Sequence, residues 1–254
     1  MAFPSTSNPT TSAFGTDTTT HNVSMPGTVN SGDLLITCFA PYMTSSDSIT
    51  TPAGWTLLDS ASHTITGINQ IFAAWYAKVA DGTEGGGTVN FATSVAATAA
   101  AQTYRVTDWF GSISGVEVAA SAVTSGGTAP NPPSLSPSWG AEDTLWITGG
   151  GAGDDDVAWT GAPTNYSNLT SVISGGGTDN GCSVGTARRE LNSSTQDPSS
   201  FTLAANEGFV VQTLAVRPAA AAGADVLPQG THQIEQGNVG LSRAMHTIDD
   251  GYIA

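Results

Sequence analysis

Basic residues are the scarcest feature of this 254-residue sequence. It contains 6 Lys+Arg against 21 Asp+Glu, a formal net charge of −15 at pH 7, and Lys78 is its only lysine. A surface of this sign repels phosphate groups. The composition therefore argues against nucleic acid as a partner and against docking to an anionic membrane.

Cysteines and long apolar runs are also scarce. Cys38 and Cys182 are too few for a disulfide scaffold, and we expect them to be reduced thiols. No stretch reaches the ~18 apolar residues of a membrane span. Met1–Gly15 has neither a basic residue nor an apolar segment, so we expect no secretory signal and synthesis in a cytoplasm.

The residues that are abundant favour β-structure. Short runs rich in Val, Ile, Thr, Phe and Tyr alternate with Gly, Pro, Asn, Asp and Ser, and no helical period occurs before residue 230. This pattern predicts an all-β fold, an antiparallel β-sandwich of jelly-roll-like type. The predicted strands are Thr20–Met25, Asp33–Ala40, Thr56–Ser62, Gln70–Val79, Thr88–Thr93, Ala101–Asp108, Gly115–Ala122, Thr144–Thr148, Asn168–Ile173, Ser183–Leu191, Ser200–Ala204 and Gly208–Val216.

Alternation along these strands also predicts core positions, because successive side chains point to opposite faces of a sheet. The residues predicted to be buried are Leu34, Ile36, Phe72, Trp75, Val79, Tyr104, Leu145, Ile147 and Val216.

An internal repeat runs through the sequence at a period near 111 residues. Asp33–Thr37 matches Thr144–Thr148, and Ala77-Lys78 falls on Arg188-Arg189. The repeat predicts two similar halves, at about 19–108 and 128–218, within one body spanning 15–218; two tandem sandwiches are the alternative. The aligned basic residues could end strands on the solvent side or form a basic binding site.

The two ends differ from the body. Residues 1–14 are predicted to be an N-terminal arm, and 219–254 a linker followed by a C-terminal anchoring arm. Asn238 can cap a short helix that stops at Gly251. Its apolar face would consist of Leu241, Met245 and Ile248, which we predict anchor a partner.

The sequence Gly181–Gly185 fits the G-x-S-x-G pattern of a nucleophile elbow. That pattern needs a sharp turn from a strand into a helix, whereas the residues after Ser183 favour a strand. We therefore assign no catalytic residue and no enzymatic activity. Replacing Ser183 with Ala is expected to leave folding unchanged.

Two further groups of residues are weak candidates for ligand binding. Asp154, Asp155 and Asp156 could supply oxygen ligands to Ca²⁺, or they could form a solvated acidic loop tip. Trp159 and Tyr166 are the best candidates for exposed, sugar-stacking aromatics, while Trp75 and Trp146 favour the core. The sequence predicts no cofactor.

Several motifs carry a resemblance to a known group of proteins. They are Gly32–Ile36, Pro52–Thr56, Trp75–Glu84 and Tyr104–Val106. Together they resemble β-sandwich virion structural proteins of tailed bacteriophages, over about residues 19–108. The motifs lie at turns and strand starts, and the resemblance transfers no catalytic residue.

The resemblance implies a non-enzymatic virion component, and a capsid decoration (cement) protein is the leading hypothesis. Its partners would be the major capsid protein or other virion subunits and further copies of itself, in a homo-oligomer such as a trimer. The competing hypothesis is a tail-associated adhesin that binds host surface glycans. A glycan depolymerase or esterase is the third.

Overall fold

The computed structural model describes residues 1–44, 47–66, 69–177 and 180–220. Within these residues, regular structure is β-strand throughout except for one 3-10 turn at Ile113–Gly115. All ladders between strands are antiparallel. The predicted all-β antiparallel sandwich is confirmed.

The first half of the chain builds one six-stranded sheet. The strands of this half of the chain are β1 (Ser5–Thr6), β2 (Thr10–Thr18), β3 (Asn22–Ser24), β4 (Leu34–Thr44), β5 (Ile49–Thr50), β6 (Thr56–Thr66), β7 (Asn69–Val79), β8 (Thr88–Asn90), β9 (Ala92–Thr93) and β10 (Ala97–Thr107). The sheet order is β1-β10-β4-β7-β6, and β2 also pairs with β10. Separate two-stranded ribbons form from β3 with β8 and from β5 with β9.

The second half builds another six-stranded sheet. The strands of this half of the chain are β11 (Val116–Val118), β12 (Ala122–Gly127), β13 (Glu142–Asp154), β14 (Trp159–Gly161), β15 (Ser167–Ile173), β16 (Gly181–Ser193), β17 (Thr202–Leu203) and β18 (Glu207–Val216). The order is β11-β18-β13-β16-β15, with β12 also on β18 and a ribbon of β14 with β17. When β4, β6, β7 and β10 are matched to β13, β15, β16 and β18, the two sheets have the same order.

The two sheets pack face to face over one shared core, and each has a second core on its outer face. Alternation along β4 illustrates this, because Leu34 and Ile36 point between the sheets while Leu35 and Phe39 point outward. The core between the sheets draws Trp75 and Tyr104 from the first half and Leu145 and Ile147 from the second. The outer core of the second sheet contains Trp146, Trp159, Tyr166, Phe201 and Phe209, among others.

A run of glycines in β13 lets the sheets approach closely. A Cβ on Gly151 would lie 2.7 Å from the Cβ of Ala40, and one on Gly153 would lie 3.0 Å from Ile71. The distance at Gly151 is shorter than van der Waals contact, so a side chain there would push the sheets apart, whereas one at Gly153 would require a small shift of the Ile71 side chain.

Seven of the nine residues predicted to be core are fully buried. Phe72 is half-buried. Val79 was predicted wrongly, since its side chain is 38% exposed. Val79 lies on the same face of β7 as Trp75 and Ala77, which point between the sheets. It is the last residue of the strand, however, and does not join the core between the sheets.

The predicted N-terminal arm is extended, but it belongs to the sheet. Both β1 and β2 pair with β10, so residues 1–14 continue into the body without a boundary. Most of the predicted C-terminal arm lies outside the described residues, which end at 220. Among the described residues, no helix has the length and apolarity of a membrane span.

Candidate functional site

Two buried glutamines at equivalent positions join the sheets. Gln102 in β10 donates through Nε2 to the carbonyl oxygen of Val184 at 2.9 Å. Gln212 in β18 donates through Nε2 to the carbonyl oxygen of Ala73 at 3.5 Å. Val184 and Ala73 are 111 positions apart, the period of the sequence repeat.

The amide oxygens of these glutamines follow the same scheme. Gln102 accepts from the hydroxyl of Thr186 at 2.5 Å, and Gln212 accepts from Nε1 of Trp75 at 3.1 Å. Thr186 and Trp75 are again 111 positions apart. The interpretation of the body as two similar halves stays a prediction, and these equivalent contacts support it.

The structure places Ser183 inside β16, where it is fully buried. Its hydroxyl accepts a hydrogen bond from Nε1 of Trp159 at 3.0 Å. Gly185 leaves space for the indole ring of Trp159, because a Cβ at this position would lie 2.1 Å from the ring. The G-x-S-x-G residues therefore accommodate an indole, and the strand continues past them to Ser193 without a turn into a helix.

The acidic loop contains a carboxylate that anchors the backbone. Asp156 accepts hydrogen bonds from the Ser174 hydroxyl at 2.8 Å and from the N–H groups of Gly175 at 3.0 Å and Gly177 at 2.7 Å. Asp156 thus clamps the loop after β15 and is not a free acidic tip. Within the part of the chain that the structure describes, no three His, Cys, Asp or Glu residues are grouped to hold a metal, and the Asp154 side chain is not in that part.

The aromatic residues predicted to be exposed are buried. Trp159 is 3% exposed and Tyr166 is 8% exposed, so that prediction was wrong. The flanking turn explains Tyr166, whose N–H donates to the carbonyl of Pro163 at 3.0 Å and folds the ring onto the sheet. Trp75 and Trp146 are fully buried, as predicted.

Both cysteines and the anchoring residues can also be placed. Cys38 and Cys182 are free and buried, and burial raises the pKa of the Cys182 thiol to about 12. The predicted anchoring residues Leu241, Met245 and Ile248 lie outside the described residues.

Three of the basic residues form ion pairs within their own half. Lys78 contacts Glu84 with an Nζ–Oε1 distance of 2.7 Å, and hydrogen bonding to Glu84 raises the Lys78 pKa. Arg105 Nε lies 2.5 Å from Asp33 Oδ2. The remaining pair joins Arg217 Nη2 to Glu142 Oε1 at 2.6 Å, at the corresponding strand ends of the second half.

Arg188 and Arg189 differ from these three. Among the described residues, neither forms an ion pair with a carboxylate. Arg188 donates through Nη1 to the carbonyl oxygens of Thr6 and Ser7, and Arg189 donates through Nη1 to Oε1 of Gln196 at 3.3 Å. The sequence showed this pair of arginines, but nothing in it indicated that the N-terminal segment would pack beside them.

Both arginines line a cleft of about 560 Å³, which we call the arginine cleft. Its lining residues are Thr6, Leu145, Asn165, Ser167, Asn168, Arg188, Arg189 and Glu190. A second cleft of about 200 Å³ is also lined by Thr6 and includes Arg105. The residues that line the arginine cleft are mostly polar, and the Arg188 guanidinium is held there by the carbonyl oxygens of Thr6 and Ser7.

Comparison with protein-family models, with curated proteins and with solved structures finds no match to this chain. What the protein does must therefore be inferred from its own residues.

Proposed function

We propose that the protein is a non-enzymatic structural component of a bacteriophage virion, with capsid decoration as its leading role. The observation that carries the proposal is that residues of the motifs that resemble phage virion proteins form contacts within the body. Asp33 pairs with Arg105, Trp75 donates across the sheets to Gln212, and Glu84 pairs with Lys78. These three motif residues therefore stabilise the body itself.

The turn motif at Pro52–Thr56 fits the same description. The N–H of Trp55 donates to the carbonyl of Pro52 at 3.1 Å, and the Trp55 ring packs against Phe91 in the outer core of the first sheet. Gly54 has a φ of 78°, a left-handed conformation that glycine adopts without strain. A body stabilised in this way on both faces of each sheet suits a shell component, which must persist as a rigid unit outside the cell.

Antibody labelling of purified particles tests the proposal. An antibody raised against the sandwich body should label the heads of negatively stained particles, with many labels on each head. Labels confined to the tail would instead support the tail-associated alternative. Particles that carry no label, although the protein is present in the lysate, would contradict a virion role.

The alternative is a tail-associated adhesin that binds host surface glycans. The arginine cleft is the observation that favours it, because its volume of about 560 Å³ lies within the range of small-molecule sites and its hydroxyls and amides can bind sugar hydroxyls. An adhesin should bind to host cells as a purified protein, whereas a decoration protein should bind only to particles. A cell-binding assay with the purified protein therefore separates the two roles.

A further inference from the structure

We propose that the protein forms a symmetric dimer in which β6 pairs with β6 of a second copy. The proposal goes beyond the decoration role and gives a surface to the homo-oligomer that the phage resemblance implies. It begins from the side of β6 that faces away from β7, which we call the β6 edge. Among the described residues, β6 forms a ladder with β7 alone, so no strand pairs with the β6 edge. With 11 residues, β6 is the longest edge strand of the two sheets.

The β6 edge lacks the features that usually protect an edge strand. Soluble proteins place lysine, proline or a covering segment at such edges. The sequence of β6 is Thr-Leu-Leu-Asp-Ser-Ala-Ser-His-Thr-Ile-Thr, with no lysine, arginine or proline. The matching edge strand of the second sheet, β15, has only 7 residues and is interrupted by Asn168, whose φ is 55°. The hydroxyl of Ser171 in β15 also accepts the N–H of Trp159 from β14, which covers that strand.

An exposed apolar side chain lies beside the β6 edge. Val123 in β12 pairs with Val210 and therefore points to the inward face of the second sheet. It is nevertheless 46% exposed, so β6, which packs against β12, covers it only in part. Leu57 on β6 itself is 44% exposed. A strand added beside β6 would extend the first sheet over Val123 and remove apolar surface from water.

Two-fold symmetry restricts how two β6 strands can pair. With the axis perpendicular to the sheet, paired residues must point to the same face, so the axis must pass through a residue position. Residues 59–64 pair with β7 in regular register and form the straight part of the edge. With Ala61 on the axis, Asp59 of each copy lies opposite His63 of the other, and Ser60 lies opposite Ser62. Every other allowed register loses the pairing of Asp59 with His63.

Asp59 and His63 are complementary in hydrogen bonding. Both lie on the inward face of β6, and the bonds that Asp59 accepts from Ser121 and Gln212 end on Oδ2, so Oδ1 can accept another. His63 is half-buried, and its Nε2 has no hydrogen-bond partner in the described part of the chain. An imidazole turned toward the edge can donate to the carboxylate of the second copy. Because of the symmetry, the dimer contains two such pairs.

Light scattering coupled to size-exclusion chromatography of the purified full chain tests the proposal. The net charge of −15 makes two copies repel each other, so the buffer contains about 0.3 M NaCl to screen that repulsion. We expect the measured mass to rise from that of one chain toward that of two chains as the protein concentration increases. A monomer at all concentrations up to about 1 mM would overturn the proposal.

Two opposite substitutions at one position then locate the interface. His63→Asp would place carboxylates opposite each other at both pairs, and we expect it to weaken the dimer about tenfold or more. His63→Arg would place a guanidinium opposite each carboxylate and should preserve or strengthen the dimer. The control is Ile173→Asp, which adds an acid at an exposed position of β15 and should leave the dimer unchanged. A dimer that His63→Asp leaves intact, or that the control weakens equally, would contradict the β6 interface.

Cross-linking tests the register while Asp59 and His63 stay unchanged. In the proposed pairing, Ser60 of one copy faces Ser62 of the other at a Cβ–Cβ distance of about 4.5–5.5 Å, whereas two Ser60 residues are diagonal neighbours, about 7–8 Å apart. Only the facing pair is close enough for a disulfide. An oxidised mixture of the Ser60→Cys and Ser62→Cys chains should therefore cross-link more than either chain alone, and the native thiols of Cys38 and Cys182 are buried. Equal cross-linking in all three samples would refute the register.

These measurements use no phage particle. A failed particle-labelling experiment therefore leaves the dimer interface intact, and a monomeric chain leaves the decoration role intact.

Discussion

At the scale of single residues, the identities of Ser183 and Gly185 follow from one neighbour, Trp159. The indole needs both a hydrogen-bond acceptor and space above the strand, and alternate positions of β16 supply them. Ser183→Ala would leave a buried indole N–H without an acceptor, which costs about 1–3 kcal/mol. This buried hydrogen bond replaces the expectation, made from the sequence, that the substitution is neutral for folding.

We predict that Gly185→Ala destabilises the protein more than Ser183→Ala does. The added Cβ would lie 2.1 Å from the Trp159 ring, so the ring or the strand must shift. Urea unfolding monitored by tryptophan fluorescence measures both changes. The control is Gly27→Ala, where an added Cβ meets no atom within 4 Å. If Gly185→Ala is as mild as the control, the packing argument is wrong.

A second residue-scale prediction concerns His21. Its ring is fully buried, and Nδ1 and Nε2 lie 3.1 and 3.0 Å from the carbonyl oxygens of Phe91 and Ala97. Burial lowers the His21 pKa below its ordinary value near 6.5, although both carbonyl contacts oppose the shift.

Because the unfolded chain then takes up a proton before the folded chain does, the free energy of unfolding should fall as the pH drops below about 6.5. We expect His21→Gln to reduce this pH dependence of the melting temperature between pH 7 and pH 5. His63→Gln is the control for the same change of residue type. An unchanged slope in the His21 variant would refute a lowered pKa.

The sequence predicted most burial correctly but placed the wrong aromatics on the surface. Period-two alternation is a local property, so it gave Leu34, Ile36 and Trp75 correctly. Trp159 lies on β14, a three-residue strand of the ribbon that β14 forms with β17. Its burial depends on Phe201, whose ring contacts the indole edge-on at a ring-centroid distance of 5.1 Å. No local pattern records a contact between residues so far apart in sequence.

At the scale of elements, the strands that sequence patterning missed are short or rich in small polar residues. Each of the twelve predicted strands overlaps a strand of the structure, whereas β1, β2, β5 and β14 were not predicted and β12 was reached only at its first residue, Ala122. The longest of these, β2, reads Thr-Thr-Ser-Ala-Phe-Gly-Thr-Asp-Thr, and its order comes from pairing with β10. Its paired residues lie between 79 and 93 positions away, at Ala97–Thr103, so local propensity cannot reveal this pairing.

The glycines of β13 give an element-scale prediction. Gly151→Ala should destabilise the protein by about 1–3 kcal/mol, because its Cβ would lie 2.7 Å from that of Ala40 on the facing sheet. Removing the opposing methyl group in the double variant Gly151→Ala with Ala40→Gly should recover part of the loss. Chemical denaturation of the two single variants and the double variant gives the coupling energy. Strict additivity would mean that the two positions do not meet.

At the scale of the whole molecule, the sequence predicted the fold class and the repeat but left the packing of the halves open. The structure shows one core between the two sheets, with Cys182 Sγ 3.2 Å from the carbonyl oxygen of Ala40. Such contacts join residues that are more than 100 positions apart, and no periodicity in either half records them. The arginine cleft could not be predicted from the sequence for the same reason. It is lined by Thr6 and Arg188, which are far apart in the sequence and are joined by a hydrogen bond in the fold.

The C-terminal arm carries the whole-molecule prediction. Truncation after Ala222 removes Leu241, Met245 and Ile248, and we expect the body to keep its melting temperature, since the described part of the chain builds all three cores from residues 14–216. If the arm anchors the protein, the truncated chain should no longer co-sediment with particles. The full-length chain in the same mixture is the reference. Full occupancy by the truncated chain would show that the anchor lies elsewhere.

The division of the sheets between the two halves has a consequence for synthesis. The first sheet has all its strands once Thr107 has been added, but the sheet that covers its inner face is complete only at Val216. At roughly 5–20 residues per second, that face, with Leu34, Ile36 and Trp75, waits about 5–20 seconds for its cover. On one messenger RNA, neighbouring nascent chains expose the same face at the same time. Residues 1–110 contain seven acidic and two basic side chains, a net charge of −5, and the mutual repulsion of these nascent chains opposes their premature pairing.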